Sequence, residues 1–360
     1  MEIFSCKTRI VSGAGSVAYL KELQSKRLFL VTDPFFMENG TARNLAVLAG
    51  AEKWEIFDKV MPDPSVQLAA EGTALVRQFQ PDTIIALGGG SAMDCAKAMA
   101  YFSGCGATFV AIPTTSGSGS EVTDFAILTH KQTKHPLVDQ KLCPDVAILD
   151  SDLLQQLPKG LIADTGFDVL CHAMEAYVAK RGSFFTQTLA KEAFSAALAL
   201  LPASFAGQKQ VRLRLHNAST MAGLAFSQSG LGLCHALAHS LGGMFHIPHG
   251  RLNAMLLPAV MDCNANVCAE QYADLARSAG LSGAADAVAV RNLKNALIRL
   301  RKEMGMPQTL KEAGVDPRQV WHHTQKLVQD TLADPCCKTN PMPVEDFMVR
   351  RILEEVTGRV

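Results

Sequence analysis

The sequence predicts a parallel α/β domain followed by an all-helical domain. Short apolar runs alternate with helical periodicity over about the first 150 residues, and Ala- and Leu-rich helical periodicity follows residues 157–160. Strands buried on both faces have continuous apolar sequences, and their alternation with helices favours a parallel sheet. We therefore predict an α/β domain over residues 1–155 and a helical domain over residues 156–360.

Four apolar runs in the first domain fit buried strands. They cover residues 28–31, 83–87, 108–112 and 146–149, and each is closed by Asp, Gly or Pro. The segment 66–79 has helical periodicity and lies between the first two runs. Parallel strands joined by helices require crossover connections, so we expect all four strands in one sheet.

The composition excludes several classes of partner. The 360 residues include 34 Lys and Arg against 34 Asp and Glu, so the electrostatic attraction that drives binding to nucleic acid or anionic membranes is absent. The first ten residues contain an acid and no apolar run, which predicts no secretory signal and a cytoplasmic location. The ten cysteines show no C-x-x-C spacing and are expected to be reduced thiols.

A glycine-rich segment, GGGSAMD at 88–94, follows the second apolar run. Ser91 and Asp94 have the spacing of a capping box at a helix start. Glycines let the backbone approach a ligand, and a helix N-terminus favours phosphate. The segment therefore predicts a pyrophosphate site. It departs from the G-x-G-x-x-G order, so a turn without a ligand is the alternative.

Two further features point to a Rossmann-like nucleotide domain. The segment PTTSGSGSE at 113–121 leaves another predicted strand and offers hydroxyl groups at the same sheet edge. Asp33 follows the first strand, where a carboxylate can bind a ribose 2′-hydroxyl and repel a 2′-phosphate. This favours NAD over NADP, with an ordinary turn or cap aspartate as the alternative.

The helical half contains a region rich in histidine and free of charged residues. Between Arg214 and Arg251 there is no Asp, Glu, Lys or Arg, yet five of the ten histidines lie there. Gly, Ser and Pro interrupt the segment, which argues against a transmembrane span. Deeply buried helices that hold imidazoles are the better interpretation.

Histidine and aspartate spacing in this half indicates a metal site. Asp168 and His172 are four residues apart, and so are His235 and His239, while His249 follows shortly after. One carboxylate with two or three imidazoles suits Fe(II) or Zn(II), whereas a single Asp–His pair is more often a plain hydrogen bond. His130, His216, His322 and His323 lack such partners and are expected at the surface or in the core, and the role of His246 is left open.

Four segments together resemble the iron-dependent, group III alcohol dehydrogenases. They are GGGSAMDCAKAM (88–99), PTTSGSGSEVT (113–123), TGFDVLCHAMEAY (165–177) and GLGLCHALAHSLGGMFHIPHGRLNAMLLP (230–258). The resemblance spans nearly the whole chain. FSCKTRI near the start, residues 216–233 and KTNPMP (338–343) look closest to the propanol-forming members associated with bacterial microcompartments.

The resemblance implies a role for individual residues in the helical half. It places the metal ligands at Asp168, His172, His235 and His249, and it makes His239 a candidate for proton relay beside the metal. Spacing alone does not separate His235 from His239.

The resemblance also implies the nucleotide contacts, which are Asp33, Gly89, Gly90, Ser91, Asp94, Thr114, Thr115, Ser118 and Lys134. Asp63 stands where many members carry Asn, so its role is left open.

The implied function is an NAD(H)-dependent alcohol dehydrogenase that uses Fe(II), with Zn(II) as the alternative, to interconvert short primary alcohols and aldehydes, with reduction of propanal to 1-propanol as the expected reaction. The implied assembly is a homodimer, with microcompartment shell or lumen proteins as partners. The alternatives are an ethanol, glycerol or propanediol dehydrogenase, a carbon–oxygen lyase on the same plan, and a catalytically silent microcompartment component.

Overall fold

The computed structural model describes residues 2–131 and 133–358, which form two compact units. One unit is Ser5–Leu157, and the other joins residues 2–4 to the chain from Pro158 onward.

The first unit is built on a six-stranded sheet in which all paired strands are parallel. In chain order, its strands are β1 (Arg9–Ser12), β2 (Arg27–Val31), β3 (Lys53–Phe57), β4 (Thr83–Gly88), β5 (Thr108–Pro113) and, after a hairpin, β8 (Val146–Leu149). The strand order across the sheet is β1-β8-β5-β4-β2-β3. β6 (Phe125–His130) and β7 (Thr133–Val138) form the hairpin, which is antiparallel.

Four helices accompany this sheet in the described part of the unit, α1 (Pro34–Glu38), α2 (Thr41–Leu48), α3 (Val66–Phe79) and α4 (Gly90–Ser103). Alternate residues of β4 belong to different apolar clusters. Ile84 and Ala86 pack in one cluster, and Ile85 and Leu87 pack in the other. Both faces of the strand are therefore buried, which is why its sequence is a continuous apolar run.

The four predicted strands are confirmed as β2, β4, β5 and β8. No apolar run predicts β1 or β3, which lie at the two edges of the sheet. Their residues are mostly exposed, so they need no apolar run. Charged residues such as Arg9, Lys53 and Glu55 are instead typical of protected sheet edges.

The second unit is helical, and residues 158–358 contain no strand. Its helices are α5 (Lys159–Val178), α6 (Phe184–Phe205), α7 (Arg212–Ser229), α8 (Leu233–Phe245), α9 (His249–Ser278), α10 (Asp286–Glu303), α11 (Pro317–Ala333) and α12 (Asp346–Thr357). α5 is buried over most of its length because it packs against α6, α7 and α9. α9 is kinked at Cys268, where the backbone leaves helical geometry. Within the described ranges, every helix is too short or too polar to cross a bilayer.

Candidate metal and nucleotide sites

The glycine-rich loop begins where β4 ends. Gly88 has a φ of 147°, and a Cβ built there would lie 2.6 Å from the Cβ of Ala92. A side chain at this position would therefore be strained and would collide with the first turn of α4. Glycine lets the chain turn directly from the strand into the helix.

The second loop packs closely against the first. The Thr114 N–H donates to the Gly88 carbonyl at 3.0 Å. A Cβ built at Gly89 would lie 3.3 Å from Thr115 Oγ1, and one built at Gly90 would lie 3.3 Å from Ser118 Cβ. The two predicted nucleotide loops thus meet at the carboxyl edge of β4 and β5, where ligands bind in open parallel sheets.

The start of α4 has no side-chain cap. Its N-cap is Gly89, which has no side chain to occupy the N–H groups of the first turn. The predicted capping box is wrong because the helix begins at Gly90, so Ser91 is already inside it. Asp94 accepts a hydrogen bond from Ser120 Oγ at 3.1 Å instead. The open first turn, with its positive dipole end, suits an anionic phosphate.

Charged side chains surround Asp94. Burial raises the pKa of Asp94 to about 6, although the charges of Lys97 and Lys134 and the hydrogen bond from Ser120 oppose this increase. Lys134 Nζ itself lies 2.8 Å from Asp63 Oδ1. Asp63 therefore pairs with Lys134, one of the predicted nucleotide contacts.

Asp33 is the N-cap of α1, and its Oδ1 accepts from the Phe36 N–H at 3.3 Å. A Cβ built at Gly88 would lie 3.6 Å from Asp33 Oδ2, so the second oxygen faces the glycine loop. Burial raises the pKa of Asp33, and backbone hydrogen bonds lower it in part. One carboxylate oxygen caps the helix, which leaves the other for a ligand at the sheet edge.

In the helical unit, three helices bring four predicted side chains together. α5 carries Asp168 and His172, α8 carries His235, and α9 begins at His249. The Nε2 atoms of the three histidines lie 4.0 Å, 3.8 Å and 3.6 Å from Asp168 Oδ1, in chain order. Ligands about 2.1 Å from a tetrahedral ion are about 3.4 Å apart. Three of these residues, Asp168, His235 and His249, have ligand atoms within 4.8 Å of one another, which fits a divalent cation, whereas His172 lies outside this closest group.

Two of the imidazoles, those of His235 and His249, are in the protonation state that a metal needs. Burial lowers the pKa of His235 and of His249 well below the usual value. Neutral imidazole is the metal-binding form of histidine. The His172 ring is stacked on Phe226 at 4.3 Å and on His235 at 4.5 Å between centroids, which fixes its plane.

Sequence reasoning missed Glu175, a buried residue of α5. Its carboxylate accepts from the Gly232 N–H at 2.9 Å, the Cys234 N–H at 2.7 Å and His235 Nδ1 at 2.6 Å. It thus caps the start of α8 and favours the tautomer in which His235 Nε2 is unprotonated, and Asn253 Nδ2 lies 3.3 Å from that nitrogen. Burial raises the pKa of Glu175 to about 7, against the lowering effect of these hydrogen bonds. Its position seven residues after Asp168 on one helix face was the available signal.

Asn253 was also missed. It lies on α9, fully buried, and its Nδ2 donates to Asp168 Oδ1 at 2.8 Å. Its spacing of four residues from His249 places both on one helix face. Asn253 therefore orients the carboxylate at the centre of the histidine cluster.

The start of α9 lies directly on α5. A Cβ built at Gly250 would lie 1.9 Å from the Asp164 carbonyl oxygen. Arg251 also donates to both oxygens of Asp164, at 3.1 Å and 2.9 Å. The position of His249 thus depends on a close backbone approach that only glycine permits.

Gly250→Ala should consequently destabilise the protein by on the order of 3 kcal/mol, because the added methyl overlaps a backbone carbonyl and the helices must separate. Urea unfolding monitored by circular dichroism measures this change. Gly160→Ala, in the first turn of α5 and with no atom within 4 Å of the built Cβ, is the matched control. Equal midpoints for the two variants would contradict the prediction.

The structure separates His235 from His239, which the sequence spacing left unresolved. In the described residues, Asp168, His235 and His249 form one group whose ligand atoms lie within 4.8 Å of one another, and His239 groups with Asp334 and Cys336. His239 Nδ1 lies 2.8 Å from Asp334 Oδ2. Its ring is stacked on His249 with centroids 5.2 Å apart.

The other histidines lie elsewhere in the structure. His246 is exposed at the C-cap of α8, with a left-handed φ of 54°. His322 is exposed, whereas His216 is completely buried in α7. These positions agree with surface and core roles.

Comparison with known families matches both units. The model of the iron-containing alcohol dehydrogenases matches residues 7–151, and the C-terminal model of the same family matches residues 162–357. The chain belongs to the iron-containing alcohol dehydrogenase family. Its fold agrees, since the structure titled 1,3-propanediol oxidoreductase superposes with a TM-score of 0.93 at 30% identity, covering 99% of this chain and 100% of that one.

Two relatives align with this chain over nearly its full length. The 1-propanol dehydrogenase of Salmonella typhimurium is 41% identical over 374 aligned residues, with 99% of this chain and 100% of that protein covered. The NADPH-dependent butanol dehydrogenase of Clostridium saccharobutylicum is 38% identical, with 98% and 97% covered. This family member is therefore an oxidoreductase of the alcohol dehydrogenase class.

Proposed function

We propose that the protein is a metal-dependent, NAD(H)-linked alcohol dehydrogenase that interconverts short primary alcohols and aldehydes, with propanal and 1-propanol as the preferred pair. The observation that carries this proposal is the convergence of three histidine Nε2 atoms within 4.0 Å of Asp168 Oδ1. Fe(II) is the proposed metal, and Zn(II) is the alternative that the same ligand set accommodates.

The proposed reaction divides its tasks among these side chains. Asp168, His172, His235 and His249 would hold the cation, with Glu175 and Asn253 orienting two of them. When bound, the cation supplies Lewis acidity toward a carbonyl oxygen, and the dinucleotide supplies the hydride. The loops around Gly89 and Ser118 would bind the dinucleotide phosphates.

His239 is the proposed proton donor to the product alcohol. It is about a quarter exposed and its ring is parallel to that of His249, so it can exchange protons with water while lying beside the metal ligands. An imidazole is suited to this task at neutral pH.

The neighbourhood of the cluster favours a small apolar substrate. Phe226 contributes a buried ring against His172, and residues 215–250 carry no charged side chain. An acid or phosphate group would find no cation in this segment. The names of two relatives, a 1-propanol and a butanol dehydrogenase, agree with a short aliphatic substrate.

Asp33 supports NAD(H) rather than NADP(H). Asp33→Asn keeps the oxygen that caps α1 and removes the charge that would repel a 2′-phosphate, a repulsion of several kcal/mol. We expect the preference for NADH over NADPH, measured as the ratio of kcat/KM values, to fall by on the order of 100-fold. Glu38→Gln, at the exposed end of the same helix, should leave the ratio unchanged. A wild-type enzyme that prefers NADPH would contradict this proposal.

The decisive experiment is metal analysis of anaerobically purified protein, with NADH oxidation measured for ethanal, propanal and butanal. Dehydrogenation of glycerol and 1,2-propanediol is measured in parallel. We expect about one iron per chain and the highest kcat/KM with propanal. Faster turnover of a diol would replace the proposed substrate, and the absence of turnover with every substrate in iron-loaded protein would overturn the proposal.

A further inference from the structure

His239 and Asp334 form a carboxylate–imidazole pair that none of the functional assignments above explains. Asp334 Oδ2 lies 2.8 Å from His239 Nδ1, although the residues are 95 positions apart. We propose that Asp334 is a positioning residue that holds His239 as its Nδ1–H tautomer and directs Nε2 to the reacting oxygen. This inference rests on the proposed function.

Asp334 is itself firmly placed. It follows α11 and is the N-cap of the short helix Pro335–Lys338, where its Oδ1 accepts from the Cys336 N–H at 2.8 Å. Its own N–H donates to the Thr331 carbonyl at 3.1 Å. One oxygen is therefore fixed by the backbone, and the other is left for His239. The side chain is only 14% exposed, so water competes little for the pair.

The charge state of the pair determines the tautomer. Burial would raise the pKa of Asp334, but the hydrogen bond and the charge of His239 hold it below the usual value. The ionised carboxylate can only accept hydrogen bonds. At 2.8 Å from this acceptor, His239 Nδ1 must be the donor of the hydrogen bond, and Nε2 is the nitrogen on the other side of the ring.

The ring orientation of His239 is constrained from two sides. Asp334 holds Nδ1 on one edge, and the His249 ring lies parallel to the His239 ring at an interplanar angle of 15°. A side chain restrained in this way is already oriented for transfer at Nε2 and loses little freedom during the reaction. This is the same division of labour as in the Asp-His pair of serine hydrolases.

The tautomer of His239 can be determined by NMR spectroscopy without measuring enzyme activity. In metal-free protein labelled with ¹⁵N-histidine, long-range ¹H–¹⁵N correlation spectra should show His239 protonated at Nδ1, with His239→Gln providing the assignment. Asp334→Ala should abolish that preference. Asp330→Ala, which removes an exposed ion pair with Lys326 on the same helix, should leave the spectrum unchanged. A His239 that carries its proton at Nε2 in the wild type would overturn the inference.

A double-mutant cycle then tests whether Asp334 acts through His239. We expect Asp334→Ala to lower kcat for aldehyde reduction by about 10- to 100-fold with KM changed less than about threefold, as for removal of a supporting carboxylate. In a His239→Ala background the same substitution should cause no further loss. An equal loss in both backgrounds would show a purely structural role and would refute the proposal.

Asp334→Asn separates the loss of the charge from a loss of folding. Its side-chain oxygen can still accept from the Cys336 N–H, so the turn after α11 is retained while the charge is lost. We expect kcat to fall with the midpoint of urea unfolding unchanged, and unchanged kcat in a normally folded protein would contradict the inference. Wild-type protein that binds metal but reduces no aldehyde would refute the proposed function only, because the tautomer measurement would still decide the role of Asp334.

Discussion

His249→Ala is expected to lower metal content to near zero and to reduce aldehyde reduction by on the order of 10³-fold. The Nε2 of His249 is the imidazole nitrogen nearest to Asp168 Oδ1, at 3.6 Å, and its removal opens one quarter of the ligand set. Loss of several kcal/mol of Lewis-acid stabilisation corresponds to this factor. Elemental analysis and NADH oxidation with propanal measure the two effects.

The matched control is His246→Ala. His246 lies three residues earlier in the chain, at the exposed end of α8, so its loss should change neither metal content nor turnover. Undiminished metal and turnover in His249→Ala would exclude His249 from the site. An equal decrease in both variants would show that the connection between α8 and α9, rather than the ligand, is being measured.

Glu175→Ala should lower metal affinity by about 10- to 100-fold, as is typical when a partner that orients a ligand is lost. It should also reduce the free energy of unfolding of the metal-free protein by on the order of 3 kcal/mol. Three buried donors, the N–H groups of Gly232 and Cys234 and His235 Nδ1, would lose their acceptor. The desolvation of the carboxylate, which raises the pKa of Glu175, offsets part of this loss. Urea unfolding and metal titration provide the measurements.

Glu175→Gln separates charge from hydrogen bonding. One amide oxygen remains as an acceptor, so we expect a smaller loss of stability than in Glu175→Ala. Glu192→Gln, an exposed position on α6, should change neither quantity. Wild-type stability and affinity in both Glu175 variants would show that the start of α8 and the His235 ring are held by other contacts.

The central part of the fold could be predicted because its strands are buried on both faces. β2, β4, β5 and β8 have continuous apolar runs, which are a local property of the sequence. The edge strands and the β6–β7 hairpin are partly exposed and leave no such signal. The capping box failed for a local reason, since Gly89 rather than Ser91 occupies the N-cap of α4.

The candidate metal site could be predicted only as pairs. Helical spacing indicates that Asp168 and His172 lie on one helix face. The choice between His235 and His239 as a ligand depends on contacts with distant parts of the chain. Asp334 is 95 positions from His239, and the donors to Glu175 lie 57 to 60 positions away. No periodicity records such contacts, so the family resemblance or the three-dimensional structure is needed.

Glu175 has both a structural role and a role at the candidate metal site, and this combination limits how the enzyme can evolve or be redesigned. One carboxylate completes the hydrogen bonds at the start of α8 and orients the imidazole three residues further along that helix. A change at Glu175 is therefore expected to alter stability and metal affinity in the same step, so selection on one property also acts on the other.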